Sequence, residues 1–90
     1  MRFNIKYCFS KNDQIIYKDL GDGPALVDPY RQSLVKLNPT AHRIWKLLDG
    51  KHSAVDIIEI MKAEFEIDAK SLEKDVVSFF KDLLRREIIT

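Results

Sequence analysis

One cysteine, Cys8, is all the thiol chemistry this 90-residue chain carries. A lone thiol excludes an internal disulfide framework and leaves no CxxC pair for zinc or redox work, so a reducing, cytoplasmic setting is expected. Only two histidines are present, His42 and His52. With Cys8 they form neither a spaced metal-ligand motif nor a set of nucleophile, base and orienting group, so no catalytic residue, metal or cofactor is expected. No apolar run approaches the ~20 residues of a membrane span, and the N-terminus lacks the apolar core of a signal peptide. Charge of one sign is scarce as well. The formal net charge is +1; residues 1–38 carry six Lys/Arg against four Asp/Glu, and residues 39–90 nine against ten. Neither half is a polyanion-binding surface.

What is present is globular composition, 46% apolar and 32% charged, on a length that suits one small domain over residues 1–90. A core this small gains from any partner that covers further apolar surface. In residues 1–12 an N-terminal extension alternates Phe3, Ile5, Tyr7 and Phe9 with more polar positions, the period of an extra strand that needs a neighbour. It could cover its own sheet, occupy a groove of its own chain, or exchange with a second copy to give a homodimer.

Three short strand-like pieces follow: Gln14 to Leu20, Ala25 to Asp28 and Ser33 to Leu37. Gly21-Asp22-Gly23-Pro24 and Pro29-Tyr30-Arg31-Gln32 separate them, and both are turn formers, which predicts two antiparallel hairpins in series. After Leu37 the period changes. Asn38 suits an N-cap and Pro39 the first helical position, so a helix is predicted from Pro39 to about Asp49, with Ala41, Ile44, Trp45 and Leu48 inward and Gly50 at the C-terminal cap. Ser53 and Asp56 resemble a capping box for a second helix through Ile57, Ile58, Met61 and Phe65. Glu66-Ile67-Asp68 connects it to a third, predicted from Ala69 to Glu87. That helix carries Leu72, Val76, Phe79, Phe80 and Leu83 on one stripe, widened by Val77 and Leu84 to about 160°, where docking on one core needs ~100°. The excess either touches both sheet and helices or borders a groove that takes an apolar segment.

Three antiparallel strands followed by three helices is an α+β, winged-helix-like outline. Within it, Leu26-Val27-Asp28-Pro29, Leu37-Asn38-Pro39-Thr40-Ala41, Ile44-Trp45, Leu48-Asp49-Gly50-Lys51, Ile57-Ile58, Asp75-Val76, Phe79-Phe80, Leu83 and Ile88-Ile89 occur in an order that resembles the pyrroloquinoline quinone biosynthesis protein D (PqqD) family. The resemblance covers roughly Gln14 to Ile89. It departs at His52, where a small or hydroxylated residue is more usual, and it leaves out the first dozen residues.

The resemblance implies a non-catalytic peptide chaperone that binds the leader of a ribosomally made precursor peptide and presents it to a modifying enzyme, commonly a radical S-adenosylmethionine enzyme. It further implies that the leader adds as an antiparallel strand to the third strand, in the cleft between that strand and the third helix. Carried onto this chain, the peptide-binding residues would be Ser33, Leu34, Val35, Lys36 and Leu37 on the strand. On the helix they would be Leu72, Asp75, Val76, Phe79, Phe80 and Leu83. Alternation predicts that Val35 and Leu37 face the helices. Asp75 is the polar member, placed either to meet a basic or hydroxyl group of the leader or to cap a loop.

The alternative function is winged-helix DNA binding. The third helix balances Lys70, Lys74, Lys81, Arg85 and Arg86 against Glu73, Asp75, Asp82 and Glu87, a poor match to a phosphate backbone. No nucleic acid or membrane partner is therefore expected.

Overall fold

A computed structural model describes residues 3–66 and 68–90. Met1, Arg2 and Ile67, the last expected in the connection between the second and third helices, lie outside the described residues. The elements run β1 (Ile16–Asp19), β2 (Pro24–Asp28), β3 (Ser33–Lys36), α1 (Pro39–Leu47), α2 (Ala54–Glu64) and α3 (Ala69–Arg85). The α+β outline read from the sequence is the fold. The strands form one antiparallel sheet in the order β1-β2-β3.

The capping residues set the helix starts. Asn38 Oδ1 accepts from the Ala41 amide at 2.8 Å with Pro39 beginning α1. Ser53 and Asp56 bond each other's backbone amides as a reciprocal capping box, and the Asp68 carboxylate accepts from the Ser71 amide. The helix ends differ from the sequence expectation. α1 stops at Leu47, because the Asp49 carboxylate accepts from the Lys51 and His52 amides and draws the backbone into a turn. Gly50 follows at φ +81°, in the left-handed region, rather than as the cap itself. α3 ends two residues early in a Schellman arrangement: the Ile88 amide bonds Leu83 O at 2.9 Å and the Glu87 amide bonds Leu84 O at 3.0 Å. Glu87 holds the left-handed position usually given to glycine, at φ +58°.

The core lies between the three helices and one face of the sheet. Leu26 and Leu37 enter it from the strands, Ile44, Trp45 and Leu48 from α1 and its cap, Ile57, Ile58 and Met61 from α2, and Leu72, Val76, Phe80 and Leu83 from α3.

The N-terminal alternation does not form the expected strand. Asn4 accepts from the Lys6 amide through its side chain and from the Tyr7 amide through its carbonyl, and this local turn interrupts the extended backbone. Extended pairing begins later. Ser10 exchanges backbone bonds with Thr90 at 3.0 and 2.9 Å, the Asn12 amide reaches Ile88 O at 2.9 Å, and Lys11 bridges Ile89 antiparallel. Phe9 stacks on Phe3 and meets Phe80 edge-on, with both pairs of ring centroids 5.9 Å apart. The segment thus covers the core of its own chain beside α3.

Candidate functional site

The register of the sheet decides which backbone groups are on offer. The Leu37 amide bonds Pro24 O at 2.9 Å, one residue beyond the β2–β3 pairs Lys36 with Ala25, Val35 with Leu26, Leu34 with Val27 and Ser33 with Asp28. In an antiparallel ladder bonded and non-bonded pairs alternate. Ser33, Val35 and Leu37 therefore turn their backbone groups to β2, while Leu34 and Lys36 turn theirs to the free edge. The β1–β2 hairpin gives the same phase, since the Leu20 amide bonds Gly23 O at 2.9 Å and Gly23 precedes the Pro24 that serves β3.

The side chains of β3 alternate as expected. Val35 is half-buried against the core and Leu37 is buried, whereas Leu34 and Lys36 are exposed on the outer face.

The two ends of β3 are anchored to helices. Before the strand, the Asp28 carboxylate accepts from the Tyr30 and Arg31 amides at 3.0 and 3.2 Å and pairs with the Arg31 guanidinium. Burial opposes ionisation of Asp28, but these two amides and the guanidinium together hold its carboxyl below the ordinary aspartate value. Arg31 also pairs with Glu87, just past α3. The start of β3 is thereby tied to the end of α3. At its other end the strand runs directly into Asn38.

Beyond Asn38 an open groove of about 880 Å³ lies between α1 and α3. Asn38, Ala41 and Ile44 form one wall, and Asp75, Phe79 and Asp82 are among the groups of the other. A smaller cavity of about 300 Å³ sits at the end of β3, bounded by Asp22, Pro24, Lys36, Leu37 and Asn38. Asn38 borders both.

The structure divides the expected α3 residues. Leu72 is 1% exposed and Val76, Phe80 and Leu83 are 0% exposed, all within the core. Asp75 and Phe79 line the groove. The physical reason is that the core direction bisects the apolar stripe, so only its flank remains open. The groove itself is bounded by α1, α3 and Asn38, and no residue of β3 lines it. Periodicity marks Asn38 as a cap and Ala41 as inward-facing, and the structure adds a place for both on the groove wall, while Ile44, 1% exposed, faces inward as expected. The groove arises from helix packing, which no local pattern carries.

Charge in the groove is partly internal. Arg85 and Arg86 both pair with Asp82. Asp75 has no ion-pair partner among the described residues and remains a carboxylate available to an incoming cation. The histidines are engaged locally: His42 Nε2 lies 2.8 Å from Tyr17 Oη, and His52 Nδ1 lies 2.9 Å from Asp49. Among the described residues no group of three or more His, Cys, Asp or Glu is placed to hold a metal ion, and no helix is long and apolar enough to cross a membrane.

Comparison with known proteins adds sequence and fold relationships. The family described as Coenzyme PQQ synthesis protein D (PqqD) matches residues 25–89. A PqqA binding protein of Acinetobacter baylyi is 42% identical over 60 residues, which cover 67% of this chain and 60% of that protein. A PqqA binding protein of Methylococcus capsulatus is 36% identical over 64 residues, with 67% of each chain covered. Among solved structures, a lasso peptide synthetase B1 complexed with the leader peptide superposes with a TM-score of 0.79 at 23% identity, covering 92% of this chain and 98% of that one. TbiB1 in complex with the TbiA(beta) leader peptide gives 0.76 at 22% identity over 89% and 93% of the two chains. At these identities the structural likeness is one of fold.

Proposed function

The chain belongs to the PqqD family, and from that premise we propose that it is a non-catalytic chaperone for the leader of a ribosomally made precursor peptide. In this reading the leader adds as a strand to β3, with its inward side chains in the α1–α3 groove. The domain then presents the peptide to a modifying enzyme, of the radical S-adenosylmethionine class, in pyrroloquinoline quinone or related modified-peptide biosynthesis. The observation that carries the reading is the outward-facing backbone of Leu34 and Lys36 on the free edge of β3, with Asn38, at the end of that strand, bordering the groove. An unpaired edge supplies affinity through main-chain bonds, and a groove beside it supplies selectivity through alternate side chains. Two relatives carry the name PqqA binding protein, and two chains of the same fold are described with leader peptides bound; both support the assignment. DNA binding is the weaker alternative, because Arg85 and Arg86 are already engaged by Asp82.

The test uses the register. Lys36→Pro removes an amide that faces the free edge and leaves the bonds of Val35 and Leu37 to β2 in place, a position where an edge strand tolerates proline. Lys36→Ala keeps the amide and removes only the side chain. With both variants folded by circular dichroism, the leader encoded beside this chain should bind Lys36→Pro about tenfold more weakly, the order of one lost hydrogen bond plus a ring in its place. Lys36→Ala should stay within about twofold. Equal affinity for Lys36→Pro and wild type contradicts strand addition. Val35→Pro would instead break the internal β2–β3 ladder.

A further inference from the structure

The face of the sheet turned away from the helices carries an apolar row that no element among the described residues covers. Ile16, Val27 and Leu34 are in register across β1, β2 and β3, and Ile16 and Leu34 are 50% and 48% exposed. The row on the opposite face, Tyr17, Leu26 and Val35, is the one that meets the helices, through Tyr17 on His42 and through Leu26 and Val35 in the core. Beside the apolar row lies Lys18, Ala25 and Lys36. Ala25 is 0% exposed yet belongs to no core cluster, as expected where long lysine stems lie across it. Lys36 bonds Asp22 at 3.2 Å, and Lys18 has no ion-pair partner among the described residues. The strand charges on this face are all positive.

We propose that this face docks a partner protein through an apolar ridge bordered by carboxylates. Charge selects that occupant over a second copy of the chain, because a second copy offers Lys18 no free carboxylate on this face, where Asp22 is already held by Lys36. The row is three side chains long, the scale of a transient contact and not of an obligate dimer. The face stays open when a strand occupies the edge of β3, so one domain can hold a peptide and a second protein together. The inference stands on the outer face alone and does not require the peptide reading.

Two synthetic helical peptides test it, each with a leucine ridge, one flanked by Glu and the other by Lys, titrated into the labelled full chain. The Glu-flanked peptide should shift the amides of β1 and β2 at Ile16, Lys18 and Val27, and the Lys-flanked peptide should bind at least about tenfold more weakly. Ile16→Glu should abolish binding of the Glu-flanked peptide, and Lys18→Glu should reverse the preference between the two. Both substitutions lie on the strand remote from β3 and should leave leader affinity unchanged. Equal binding of both peptides, shifts confined to the α1–α3 groove, or concentration-dependent dimerisation through Ile16 overturns the proposal. Loss of leader binding by the wild-type chain with the peptide preference intact overturns the peptide reading and leaves this one standing.

Discussion

Phe79 and Phe80 are adjacent in sequence and have different work. Phe80 is 0% exposed and meets Phe3 and Phe9 with ring centroids 5.9 Å apart in each pair, while Phe79 is half-buried on the groove wall. Helical periodicity placed both on one stripe and could not separate them. A residue at the centre of the stripe and one at its flank differ only in what packs opposite, and that depends on α1 and the N-terminal segment. Asp75 is similar: its position beside the stripe was legible, and its lack of an ion-pair partner was not. The separation has a measurable consequence. Phe80→Ala should cost about 3–5 kcal/mol of stability, a large fraction of what a domain this size has. Phe79→Ala should cost about 1 kcal/mol or less in a thermal melt and weaken leader binding by about tenfold or more. If Phe79→Ala leaves leader affinity intact, the groove is not the side-chain site.

At the scale of elements, the order and type of all six were readable, because each begins or ends on chemistry that acts locally. The two Gly/Pro-containing turns set the hairpins, and Asn38 and Ser53 set the first two helix starts; Asp68, read only as part of a connection, caps the third. Ends set by distant or unusual partners were not readable. α1 stops short because Asp49 bonds forward to Lys51 and His52, and α3 closes on a left-handed Glu87 that also reaches Arg31. The N-terminal segment is the clearest case. Its alternation holds as a burial pattern at Phe3 and Ile5, half-buried, and at Phe9, buried, and fails at Tyr7, which is 53% exposed; its backbone partner is residues 88–90 of the same chain. A long-range pairing of that kind leaves no local signature. Because the segment covers Phe80 and not the groove, Phe9→Ala should lower stability by about 3–5 kcal/mol without raising leader affinity. A variant that binds leader more tightly would mean that the segment competes for the site.

At the scale of the whole molecule, a three-stranded sheet with helices on one face leaves three surfaces with different chemistry. The outer face is apolar and basic, the groove between α1 and α3 is mixed, with Asp75 unpaired among the described residues, and the edge of β3 is bare backbone. The family resemblance points to the edge of β3 and to α3. Register, known only once β2 and β3 are paired, determines which two residues of that edge face outward. The most direct measurement is amide hydrogen exchange along β3 with and without the leader peptide. In the free chain the Val35 and Leu37 amides should be slow, because β2 holds them, while those of Leu34 and Lys36 exchange fast; saturating leader should slow Leu34 and Lys36 by at least about tenfold. Leader binding that leaves those two amides fast would contradict strand addition to β3.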